Sequence, residues 1–167
     1  MPDKRTIKRA RKDRREGKSA STQAGEFVRD EIHKIRRGEH GARSTKQAIA
    51  IALSEARRAG VDLPPPQKGK TSERTRRKAK QDYARGHGAA PKRKTSAKRS
   101  RATLAALKRE PRSSASHEAL SRQAHGAAAK RTHAERSASA RKAARTKGAA
   151  KRSAAARKAA STRARSA

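Results

Sequence analysis

Large apolar side chains are concentrated in one stretch of this chain, residues 22–63, and that concentration limits what can fold. Around it the sequence is mostly Lys, Arg, Ala and Ser, which supply charge and helix propensity but little to bury. Of 167 residues, 31% are hydrophobic, many of them alanine; 37% are charged, and the formal net charge is +34. The only aromatics are Phe27 and Tyr83. Low hydropathy with high net charge leaves too little apolar surface to offset the entropy of ordering a whole chain. The expectation is therefore a mostly α protein: a small helical hairpin, with a third short helix available to it, flanked by disordered or conditionally helical basic arms.

Charge divides the chain in the same way. Residues 1–21, read as a basic N-terminal arm, hold nine Lys/Arg against three acids. Residues 22–63, the hairpin module, hold eight against six and are nearly neutral. Residues 64–85, a Pro-rich linker and basic helix, hold eight against two. The low-complexity tail, residues 86–167, holds 23 against three.

Two helices are legible in the hairpin module. The first spans roughly 22–37, where Val28, Ile32 and Ile35 repeat at helical spacing with Phe27 beside them. Its acids come early, its cations late, and Gly38 follows as a stop. The second opens at Ser44, and Gln47 three residues on completes a capping box. Ile49, Ala52, Leu53 and Ala56 form its stripe, Gly60 ends it and Pro64–Pro66 prevents resumption. The expected hairpin core is Phe27, Val28, Ile32, Ile35, Ile49 and Leu53. At some forty residues such a hairpin lies at the lower limit for independent folding. A homodimer through its apolar face, or a third helix over 71–86 touching it through Ala79 and Tyr83, would complete it.

The tail carries a repeat: SASARKAARTKG from Ser137 and SAAARKAASTRA from Ser153, offset by 16 residues. An advance of 16 turns an ideal helix by about 160°, so the two RKAA clusters would face different sides, as suits wrapping of a polyanion.

Little here suggests catalysis, and no enzyme, cofactor or metal is expected. There are no cysteines, hence no disulfide or thiolate site. His117, His125 and His133 recur every eight residues, but no clustered acids accompany them. The run EGKS at 16–19 lacks the earlier glycine of a phosphate-binding loop; Lys12 stands there. Asp30, Glu31 and His33 read as a solvated helix face. The basic N-terminus is followed by no apolar stretch, and the longest apolar run, Ala48–Leu53, is far short of a membrane span. The expectation is a soluble protein of the cytoplasm and nucleoid, with no membrane partner.

What remains is cations. Each phosphate they neutralise releases counterions, so binding tracks salt rather than sequence. With two aromatics, base stacking is poorly supplied. The expected nucleic-acid contacts are Arg43, Lys46, Arg57, Arg58, Arg76, Arg77 and Lys78, then Lys92, Arg93, Lys94, Lys98, Arg99 and Arg101. In the tail they are Arg141, Lys142, Arg145, Lys147, Lys151, Arg152, Arg157 and Lys158. The hairpin admits three readings: a helix-turn-helix presenting the start of its second helix to phosphate, a dimerisation or protein-docking element, or a self-contained bead.

The stretch STQAGEFVRDEIHKIRRGEHGARSTKQAIAIALSEARRAGVDLPPP, followed by KGKTSERTRRKAKQD, resembles a family of small basic bacterial proteins of unknown function. Its members are commonly labelled DNA-binding or plasmid-stabilisation proteins. The resemblance covers about residues 1–85, with RATLAALKRE and RTKGAAKRSAAARKAA similar to the family's tails, and the tail is similar to histone H1-like tails in composition. It implies a bacterial cytoplasm and a DNA partner, and offers no catalytic or ligand residues. The combined expectation is sequence-non-specific binding of double-stranded DNA by a nucleoid-associated or DNA-condensing protein. The alternatives are an RNA-binding or ribosome-associated factor, and a maintenance adaptor whose hairpin docks a protein.

Overall fold

A computed structural model describes residues 3–89 and 96–166. The described residues are mostly helical and contain no strand. The chain divides after Gln123 into two units.

The first unit is built around the hairpin. Helix α2 (Ala20–Arg36) and helix α3 (Thr45–Arg58) fall where the apolar periodicity places them. At the start of α3 the Ser44 half of the capping box is formed, while Gln47 reaches one residue further back, to Arg43. The Ser44 hydroxyl accepts from the Gln47 N–H at 3.2 Å, and Gln47 Oε1 accepts from the Arg43 N–H at 2.8 Å. At the other end Gly60, at φ +86°, takes the left-handed conformation that turns the chain out of the helix. There the Val61 N–H bonds to the Ala56 carbonyl, and Val61 itself is buried.

Of the expected core, Phe27, Ile32 and Ile35 are buried, whereas Val28, Ile49 and Leu53 are half-buried. The seam of α3 is a row of small residues, Thr45, Ala48, Ala52 and Ala56. Ile49 and Leu53 flank that row instead of centring on it. Three alanine methyls with zero exposure let the neighbouring backbones come close, which larger side chains would prevent.

The expected basic arms are not arms in the first unit. Residues 4–15 form helix α1 (Lys4–Arg15), capped by the Asp3 carboxylate on the Arg5 N–H at 2.7 Å. It packs on α2 with Thr6, Ala10 and Asp13 buried and Ile7 half-buried against the core, an inward face with too few apolar side chains to register as a stripe. Helix α4 (Glu73–Gly86) is the third helix proposed for the hairpin, with Ala79 buried and Tyr83 half-buried. It docks by backbone approach: a Cβ on Gly86 would lie 1.9 Å from the Arg57 carbonyl oxygen.

The tail also enters the core. Helix α5 (Ala97–Lys108) leads through Pro111 into a single 3-10 turn (Arg112–Ala115) and then helix α6 (His117–Ala129). The strap between α5 and α6 packs over the loop end of the hairpin, against the end of α2 and the start of α3. Ala115 has zero exposure and packs with Ile32, Ile35, Ala42 and Ala48. The Gly41 N–H donates to the Leu107 carbonyl at 2.9 Å, and a Cβ on Gly41 would overlap the Glu110 carbonyl. The hairpin is thus covered by α1, α4 and the strap of its own chain, which removes the need for a dimer that its small size suggested.

The second unit holds helix α7 (His133–Ser166), broken at Gly148, where φ is 67° and ψ 166°. The 160° offset reckoned for the two RKAA clusters assumes one continuous helix, and the break removes that assumption.

Candidate nucleic-acid interface

The expected contact residues sort into four groups by what surrounds them. Arg43 and Lys46 are exposed at the start of α3, and neither side chain has a carboxylate within ion-pair distance among the described residues. Arg77 on α4 and Lys98, Arg99 and Arg101 on α5 are likewise exposed.

A second group is committed to the fold. Arg57 is buried, and its Nε donates to the Leu63 carbonyl at 3.0 Å, fastening the chain after α3 back onto the helix. Burial holds its guanidinium below the usual arginine range, although Asp82 opposes that shift. A phosphate contact at Arg57 is therefore not what this packing provides. Arg58 and Lys78 surround Asp82, which has zero exposure, with Asp82 Oδ1 lying 3.5 Å from Arg58 Nη1 and 3.9 Å from Lys78 Nζ. Arg85 Nη1 is also at 3.9 Å. Drawing these cations to DNA would leave a buried carboxylate unpaired, a costly exchange. Arg76 sits one turn from Glu73, its Nη1 at 2.9 Å from the carboxylate, and that exposed pair is weak.

The third group lies on α7. Arg141, Lys142, Arg145, Arg152, Arg157 and Lys158 are all exposed. Arg141 donates to the Ser137 hydroxyl at 3.0 Å and Arg152 to the Ala144 carbonyl at 3.1 Å; both partners are neutral, so the charge remains available. Lys147 and Lys151 stand on the same helix. The fourth group, Lys92, Arg93 and Lys94, lies outside the described residues.

Two features escape the sequence patterns. Glu31, expected on a solvated face, is 2% exposed, while His33 is exposed as expected. Glu31 faces His40 Nε2 at 3.6 Å, and one of its oxygens is buried without a hydrogen bond. Burial raises its carboxyl above the usual range; the Glu55 and Asp30 charges add to that, and His40 and Lys34 oppose it. Beside it Lys34 holds Asp30 at 2.8 Å and approaches Glu55 at 4.0 Å. Burial works against the Lys34 charge, but the Asp30 hydrogen bond and the surrounding carboxylates outweigh it and raise its pKa.

The other is an open groove of about 670 Å³ between the start of α3 and the start of α6. Arg43 and Lys46 line one side, Arg122 the other, with Ser113 between. Its one carboxylate, Glu118, is held below the usual range by a hydrogen bond with its own backbone N–H and by the Ser116 hydroxyl, with the Arg122 charge adding to both. Sequence reasoning places Arg122 in low-complexity tail; only the strap brings it to α3.

Among known families, residues 15–68 match a family of unknown function, DUF6496. The match runs from the end of α1 through the hairpin to the linker after the prolines, about a third of the chain. No curated protein and no solved structure matches the chain. No helix among the described residues is long and apolar enough to cross a membrane.

Proposed function

We propose that this protein binds duplex DNA through its phosphates, without sequence preference, as a nucleoid-associated or DNA-condensing protein. The observation that carries this reading is α7. Residues 133–167 hold eleven Lys/Arg against a single acid, Glu135. One acid cannot balance eleven cations, so the segment keeps a large net positive charge that attracts an external polyanion. Phosphate is the anion that nucleic acid presents at regular spacing along an extended surface. The first unit supports the same partner with exposed cations on α3, α4 and α5, while its scarcity of aromatics disfavours base stacking.

Structured RNA offers the same phosphates. Competition between duplex DNA and a structured RNA, matched in phosphate concentration, separates the two. The proposal expects DNA to compete at least equally; consistent preference for RNA overturns it.

A further inference from the structure

The groove between α3 and α6 differs from the rest of the cationic surface in how it is made. Its two walls are far apart in sequence, Arg43 and Lys46 on one and Arg122 on the other, and the strap fixes their separation. The strap is itself firmly held. The Thr45 hydroxyl donates to the Ser114 carbonyl at 2.6 Å, Arg36 Nε to the Ala115 carbonyl at 2.9 Å, and the Ala42 N–H to the Pro111 carbonyl at 3.2 Å. Three cations at the edge of a rigid concavity lose less freedom on binding than three on a flexible chain, so each contributes more to affinity.

The lining also says what the groove is built to take. Apart from Glu118 its charges are positive, its other side chains are mainly hydroxyl-bearing, and Ala119 is its only apolar residue. An apolar ligand finds no surface there, whereas a chain of phosphates finds both charge and hydrogen-bond donors. In the concavity between α1 and α2, Arg9, Arg29 and Arg37 face Glu26 and Glu39 in ion pairs, and Asp3 and Asp30 add negative charge beside Arg5.

We propose that this groove seats a stretch of duplex-DNA backbone, with Arg43, Lys46 and Arg122 as its phosphate contacts. The inference rests on the DNA-binding reading above and adds that the folded unit, not only α7, grips the duplex at a defined place. It also makes the strap a functional element: without residues 107–122 one wall of the groove is missing.

The test is duplex-DNA binding by the full-length protein over a salt series. One variant replaces the groove cations (Arg43→Gln, Lys46→Gln, Arg122→Gln), and a control replaces three exposed lysines elsewhere (Lys8→Gln, Lys68→Gln, Lys70→Gln). Loss of three contacts lowers the magnitude of the log–log salt slope by about 2.7, against less than about 1 for the control. A third variant, Glu118→Gln, removes the groove's only negative charge; it is expected to bind more tightly at low salt with a slope within about one of wild type. It also keeps the proposal testable should the triple variant fail to fold. Equal losses in the groove and control variants, or an unchanged or weakened Glu118→Gln, overturn the groove while the DNA-binding reading stands. Failure of the wild-type protein to bind duplex DNA overturns both.

Discussion

The hydroxyl of Thr45, the first residue of α3, donates a 2.6 Å hydrogen bond to the carbonyl of Ser114, sixty-nine residues later. That bond joins the hairpin to a segment that reads, by composition, as disordered tail. Through it the apparent tail completes the core, and Arg122 comes to stand across a groove from Arg43 and Lys46.

Replacing Thr45 with valine keeps the shape and leaves the buried Ser114 carbonyl without this partner. The expected cost is about 1–3 kcal/mol of stability, measured by urea unfolding of the full chain. The strap should also become more sensitive to limited proteolysis near Arg112. An unchanged unfolding midpoint would mean that the strap does not contribute to the cooperative unit.

Gly86→Ala tests the docking of α4. A Cβ there meets the Arg57 carbonyl oxygen at 1.9 Å and the Gly60 nitrogen at 3.0 Å, both backbone atoms that cannot swing aside. Overpacking of this kind costs about 1–3 kcal/mol, and it should also weaken the Tyr83 hydroxyl's 2.7 Å hydrogen bond to Asp62. A variant as stable as wild type would contradict the close approach of α3 and α4.

Ser44→Ala removes the cap of α3. Loss of a serine N-cap costs about 1 kcal/mol, readable as a lowered thermal midpoint. Because Gln47 also bonds the Arg43 N–H, the double variant with Gln47→Ala should lose more than Ser44→Ala alone. Equal midpoints for the two variants would show that the Gln47 bond to Arg43 adds nothing to the cap.

Glu31 predicts a pH dependence. Its carboxyl is raised in the folded state, so between the unfolded value, near 4.5, and the folded value the native protein binds the extra proton. Stability from this group is therefore greatest below about pH 4.5 and falls as pH rises through the folded pKa. Glu31→Gln should be more stable than wild type at pH 7, and the difference should shrink as pH falls toward 4. A variant less stable than wild type at pH 7 would mean that the His40 contact outweighs the burial of the charge.

The hairpin was readable because its signals are local. Ser44 with Gln47 marks a start, Gly60 with three prolines a stop, and Val28, Ile32 and Ile35 a face. Helix α1 was not, because its inward positions are Thr6, Ala10 and Asp13, and Asp13 is satisfied by Lys18 at 2.7 Å only once the fold exists. Two members of the expected α3 stripe, Ala52 and Ala56, lie in the buried seam, but periodicity weights the large Ile49 and Leu53 over Thr45 and Ala48, which complete it. Arg57 read as one of many cations; its inward turn depends on the Leu63 carbonyl, a tertiary fact. The strap was the least legible part. Its apolar anchors in the hairpin core are Ala115 and the half-buried Leu120, and its attachment is mostly by backbone carbonyls that leave no trace in side-chain pattern.

The central claim, phosphate-driven and sequence-independent DNA binding, is tested most directly by a salt series on two unrelated duplexes. The comparison is between the wild-type protein and a variant with Arg141, Lys142, Arg157 and Lys158 changed to glutamine. If on the order of ten phosphates are engaged, the wild-type slope is about −9 on both duplexes, and the variant's is shallower by about 3.6. Affinity that differs strongly between the two duplexes, or a slope that the four substitutions do not change, would contradict the account.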